Sequence, residues 1–290
     1  MSRATSTVVD VTLFLLFVGA AAAAVVNGAT VEPPDTANPA REGTELLATS
    51  TASVDYALDP AGKPPEWATN ATASHQRTAH GTLAELFGEA AMSRVHIDGR
   101  RLSTAGHDFE AAVANRTKAR LRDWNHRSSV RASWVTYRGA PVSATMRVGE
   151  RPPPSAEVRT ATLTVPSPAD SVRAEAERAA DREGYDGVAT VVAGAVVERL
   201  FPPEAARLAL ESDYPSNRVT EARYRRAGDL LGTEALSVQS AETERMNDDL
   251  TAALADAFER DMRERFDSAA AAASTVDTGT ITVTVRTWSR

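Results

Sequence analysis

The chain has 290 residues, enough for one large domain or two small ones in addition to a short membrane segment. At 42% hydrophobic and 24% charged, with 16 Gly and 15 Pro, it has the make-up of a folding globular protein and not of a collagen, a low-complexity tail or a multi-pass membrane protein. Its 39 acidic against 32 basic residues leave a net charge of −7, which argues against generic attraction to nucleic acid or anionic lipid. The absence of Cys excludes disulfide scaffolds, zinc ribbons, thiol enzymes, iron–sulfur sites and Cys-linked lipid anchors. Only Lys63 and Lys118 are Lys, so the other 30 basic residues are Arg, a bias that suggests a GC-rich genome and a salty cytoplasm.

From Val11 to Val26 sixteen residues carry no charge. As a helix they measure about 24 Å, short of a hydrocarbon core of about 30 Å. Starting at Val8 gives nineteen residues and about 28 Å, and places Asp10 near one end of the span, where a carboxylate costs far less than at the centre. Arg3 and the amine precede the span, and Glu32 and Asp35 follow it before Arg41. The positive-inside bias therefore puts residues 1–7 in the cytoplasm and the chain after an 8–26 anchor outside. A cleaved secretory signal is a second reading, with A-x-A sites in Ala20–Ala24. A buried core helix is the third, disfavoured by its position at the extreme N-terminus.

The run Arg3-Ala4-Thr5-Ser6-Thr7-Val8-Val9-Asp10, leading straight into an apolar helix, resembles the start of pilin-like proteins, in particular the tight-adherence (TadE-like) pseudopilins and related proteins of halophilic archaea. The resemblance covers about 25 residues. It implies leader processing near Ala4 or Thr5, and a helix acid at Asp10 that would neutralise a neighbouring subunit's new amine. Leu13, Phe14, Leu15, Leu16 and Phe17 would then form the lipid and assembly face.

Residues 27–44, rich in Pro, Gly, Asn and Thr, read as a linker, followed by one extracytoplasmic domain over 45–290. Alternation at Val54, Tyr56 and Leu58 predicts a short strand, closed by a turn at Asp59–Pro65. Helical spacing marks Leu83, Leu86, Phe87 and Ala90, and then Phe109, Val113, Leu121 and Trp124. Strand patterns at Val130–Tyr137, Val142–Val148 and Val158–Val165 read as an antiparallel meander within a strand-rich 128–166. A helical part over 167–273 follows. It includes a charged Ser171–Glu183, an inward-packing Val188–Leu200, a helix opened by Pro202-Pro203, and one long helix from Thr233 to Ala272. Ile281, Val283 and Val285 alternate with Thr, which predicts a terminal strand over 279–288 in the same sheet. The expected fold class is α+β, with an N-terminal transmembrane helix ahead of an antiparallel sheet and several helices.

The sequence contains no H-E-x-x-H, G-x-S-x-G elbow, P-loop or G-x-G-x-x-G. His107, Asp108 and Glu110 read as exposed polar residues at a helix start, not as metal ligands. Arg116, Lys118, Arg120, Arg122, Arg127 and Arg131 form the one dense basic stretch, best read as the solvated face of an amphipathic helix able to meet an acidic partner or a membrane surface. Asn70 and Asn115 head N-glycosylation sequons. No catalytic residue, metal or cofactor is expected. The expected role is non-enzymatic: a single-pass membrane component acting through pilus or secretion-system subunits, with lipid as the other partner and no nucleic acid. The rival is an exported or cell-surface enzyme or ligand-binding protein whose site the sequence does not mark.

Overall fold

The computed structural model describes residues 38–58, 76–124, 126–167, 169, 171–233, 238 and 242–289. The chain divides into two units, Met1–Asn38 and Pro39–Arg290, and the second holds the elements described below. The membrane span at 8–26, the leader at Ala4 and Thr5, Asp10, the apolar run Leu13–Phe17, the turn at 59–65 and the sequon at Asn70 all lie outside the described residues. Among the described residues no helix is long and apolar enough to cross a membrane.

The fold is α+β. The helix α1 (Pro39–Thr49) leads into an antiparallel ribbon of β1 (Thr51–Ala57) and β2 (Gln76–Thr82), followed by α2 (Leu83–Met92), β3 (Val95–Ile97), β4 (Arg100–Arg101) and α3 (His107–Asp123). Then come β5 (Arg127–Val135), β6 (Val142–Gly149) and β7 (Val158–Pro166). A helical block comes next: α4 (Arg173–Leu200), α5 (Pro203–Glu211), α6 (Ser216–Leu231), α7 (Thr243–Arg265) and α8 (Ala269–Ala273). The chain returns to the sheet as β8 (Thr280–Trp288). The six-stranded sheet has the order β4-β3-β6-β5-β8-β7, with every pairing antiparallel.

Period-two patterning explains the two faces of this sheet. Val130, Ala132 and Trp134 of β5 stand opposite Val148, Met146 and Ala144 of β6, and Val130 and Ala132 also face Val285 and Val283 of β8. All of these are buried. The helix α2 lies against this face. Its start is fixed by a capping box in which Thr82 Oγ1 accepts from the Glu85 N–H, and Glu85 accepts from the Thr82 N–H. Gly88 brings α2 close to the sheet, since a Cβ there would stand 2.9 Å from Val165 Cγ2. The indole of Trp134 donates to the Thr278 carbonyl at 2.9 Å, tying β5 to the approach of β8.

In the helical block α4 packs along α7. Val188, Val192 and Val196 on α4, and Leu250, Leu254, Phe258 and Met262 on α7, are all buried. Within α4 the backbone leaves the helical conformation at Gly184 (φ 68°, ψ −142°), so the two helical segments expected over 171–200 meet at that residue.

Four sequence readings are corrected. The linker ends earlier than expected, because α1 starts at Pro39. Pro is tolerated in the first turn, and Gly43 admits Trp124 Cη2 and Val285 Cγ1 to within 2.6 and 2.9 Å of where a Cβ would be. The three strands β5, β6 and β7 are not a meander, because β8 inserts between β5 and β7. The long helix does not reach Ala272. Phe266 leaves α7 in an extended conformation and turns its ring toward Tyr137, and Ser268 caps a new helix by accepting from the Ala271 N–H. Tyr137 itself lies beyond the end of β5.

Candidate functional site

The second face of the sheet is left to solvent. Arg131 of β5, Arg147 of β6, Arg286 of β8 and Thr160, Thr162 and Thr164 of β7 are exposed on it, and Val135 is 40% exposed. An antiparallel sheet with one wet face is ordinary. The distribution of charge on this one is not. Arg131 and Arg147 are directly opposed in the β5–β6 register, a like-charge arrangement that destabilises a strand pair. Arg286 stands opposite Ser129 and Thr160, one step away on the next strand. Arg151 comes just after β6. Loss of hydration, then repulsion by Arg131, Arg151 and Arg286, hold the Arg147 guanidinium below its ordinary pKa. Among the described residues, none of the four makes an ion pair with a carboxylate.

The same end of the sheet opens into a cleft of about 710 Å³. Lys118 and Arg122 of α3, His126 and Arg127 at the start of β5, Glu150 after β6 and Trp288 at the end of β8 line it. Arg127 and Trp288 are register partners. The His126 ring lies 4.8 Å from that of Trp124. Trp288 is buried, and its indole N–H has no acceptor among the described residues. Gly149 makes this corner possible. It sits at φ 93°, and a Cβ there would stand 2.3 Å from the Ser128 carbonyl oxygen. The cleft and the open face thus form one basic surface. Arg131 is four residues along β5 from Arg127, and Arg286 two residues along β8 from Trp288.

The far end of β5 meets a carboxylate. Nine residues of strand span about 30 Å. Two residues beyond, the Tyr137 hydroxyl donates to Asp261 Oδ2 of α7 at 2.9 Å. Burial first, then the Asp261 carboxylate, push the Tyr137 hydroxyl above its ordinary pKa. Glu244, Asp248, Asp249, Asp256 and Glu264 are exposed along α7. The same helix exposes Arg245, Arg260, Arg263 and Arg265, of which Arg263 pairs with Glu259 and Arg265 with Asp261, so α7 is mixed in charge with an excess of acids.

The basic stretch behaves on α3 as its spacing predicts. Arg116, Lys118, Arg120 and Arg122 are exposed, or nearly so, while Val113 and Leu121 are buried. Arg127 and Arg131, however, belong to β5, so the stretch bends from helix to strand around the cleft. Asn115 is exposed on α3. The reading of His107, Asp108 and Glu110 as exposed is corrected at Glu110. It is buried, accepts from Ser93 Oγ at 2.9 Å, and pairs with Arg94 at 3.2 Å and with Arg101. Asp108 instead accepts from the Ala57 N–H, and His107 meets Arg101. Among the described residues no group of three or more His, Asp or Glu side chains converges as metal ligands. Sequence reasoning missed Arg147, Arg151, Arg286 and Trp288. Arg147 and Arg286 each fall on the polar phase of their own strand, but only the register brings them together.

Residues 9–288 match the model of a family described as "Family of unknown function (DUF7284)", and the chain belongs to that family. The match runs from the apolar N-terminal stretch to the end of β8. No curated protein and no solved structure matches the chain.

Proposed function

We propose that this member of the family is a non-enzymatic, single-pass component of the cell membrane, pilin-like in its N-terminal organisation, that works through contacts between subunits. Residues 8–26 anchor it, the leader before Ala4 or Thr5 stays in the cytoplasm, and the domain that follows faces outward. Asp10 pairs within the membrane with a neighbouring subunit, because a carboxylate in lipid needs a counter-charge.

The observation that carries the subunit contact is the uncompensated arginine surface at one end of the sheet. Four guanidiniums gathered with no ion pair among the described residues cost folding stability, and a partner that supplies the missing charge recovers it. The chain carries the complement itself in the exposed acids of α7. Docking of the basic end of one copy on α7 of the next is a head-to-tail contact, and head-to-tail contacts that do not close into rings propagate as filaments.

Sedimentation of the full chain at low and high salt tests this. The wild type should associate at low ionic strength and dissociate as salt screens the contact. The pair R131E and R147E should weaken association at least tenfold. Association that is indifferent to salt and to both substitutions would overturn the contact. Mass spectrometry of the membrane-bound N-terminus tests the anchor: a cut near Ala4 or Thr5 supports it, and a cut near Ala24 removes it.

A further inference from the structure

A second cavity, of about 400 Å³, lies away from the basic end, between α2, the C-terminus of α4 and α6. Its volume falls within the range of about 300–1,000 Å³ that small-molecule sites occupy. Met92, Leu102, Leu200 and Val219 supply apolar wall, and Glu89, Arg199 and Arg223 supply the charge. The fold holds Arg223 in place. Its Nη2 donates to the Leu200 carbonyl at 2.8 Å, and its guanidinium lies 5.3 Å from the centre of the Phe201 ring. The Nε–H groups of both Arg223 and Arg199 are buried and have no acceptor among the described residues. Each is a donor that folding has removed from water without replacing its partner.

The one carboxylate among the described lining residues does not resolve this. Glu89 makes no ion pair with either arginine among the described residues. Burial, and then Glu85, raise its pKa, and Arg199 offsets only part of that. Burial lowers the pKa of both arginines, and Arg199 lowers that of Arg223 further. Among the described lining residues, two guanidiniums and one carboxylate sum to +1 in a half-apolar cavity, the complement of a small monoanion.

We propose that this cavity binds a small organic carboxylate, its head held by the guanidinium groups of Arg199 and Arg223 that line it and its apolar body against Met92, Leu102 and Val219. A planar guanidinium matches a carboxylate in a two-point contact, which a point charge cannot. The apolar walls select a ligand with a hydrocarbon body over a bare inorganic anion. The site is independent of the subunit contact, because none of its residues belongs to the basic end.

Binding of hexanoate to the full chain, followed by saturation-transfer NMR in one detergent throughout, is the test, with hexanamide as the neutral isostere and inorganic phosphate as competitor. Hexanoate should saturate, hexanamide should show no saturable binding, and phosphate should not displace hexanoate. R199Q should weaken hexanoate at least tenfold. E89Q, which breaks no ion pair of the described fold, should tighten it severalfold by removing the opposing charge. Absence of saturable hexanoate binding, equal binding of hexanamide, displacement by phosphate, or unchanged or weaker binding in E89Q would each overturn the proposal.

Discussion

The molecule treats its arginines in two opposite ways. Around Glu110, two arginines from different elements converge on one buried carboxylate, and Ser93 donates to the same group. At the open end of the sheet, four arginines from three strands and a loop make no ion pair with a carboxylate among the described residues. The first arrangement links α3 to the β3–β4 hairpin and to the end of α2, and is part of what holds the domain together. The second works against the fold that carries it. Opposite charges across strands stabilise a sheet and like charges destabilise it, so the directly opposed Arg131–Arg147 pair is a cost that the proposed subunit contact would offset.

The contrast can be broken at either end. The largest effect should come from Glu110→Ala, which removes the buried carboxylate shared by Arg94, Arg101 and the Ser93 hydroxyl. A loss of about 2–3 kcal/mol is expected from the charged hydrogen bonds removed, read as a lower urea midpoint at unchanged slope. Next is Gly149→Ala. A residue with a Cβ at φ 93° and 2.3 Å from the Ser128 oxygen must displace the end of β6. The expected cost is about 1–3 kcal/mol, together with weaker salt-sensitive association. Smallest, and opposite in sign, is Arg147→Thr. Removing one of two facing charges should stabilise the fold by about 0.2–1 kcal/mol, seen as a rise in thermal midpoint that shrinks as salt is added.

The opposite signs of the Glu110 and Arg147 effects also mark where the sequence could be read. Alternation at Val130–Trp134, Val142–Val148 and Ile281–Val285 gave the strands and their buried phase, because a half-buried sheet leaves that imprint on each strand alone. Helical spacing at Leu83–Ala90 and Val188–Leu200 did the same for α2 and the second half of α4. The place of β8 was not legible. Nothing local in Thr280–Trp288 distinguishes pairing with β5 from pairing with an edge strand. The strand β2 was missed because Gln76–Thr82 is polar and its ribbon is half exposed. The basic surface was half visible. Its α3 and early β5 residues are contiguous in sequence, but Arg147 and Arg286 are 16 and 155 positions from Arg131 and only register unites them. The Arg199–Arg223 cavity had no sequence signal, since two arginines on different helices reveal nothing until the helices pack.

The most direct measurement pairs stability with association in one double variant, R131T with R147T, in the full chain. If the arginine surface is held for a partner against the interest of the fold, the variant should be at least as stable as the wild type and should lose its salt-sensitive association. A variant that is less stable, or that associates as the wild type does, would contradict that claim.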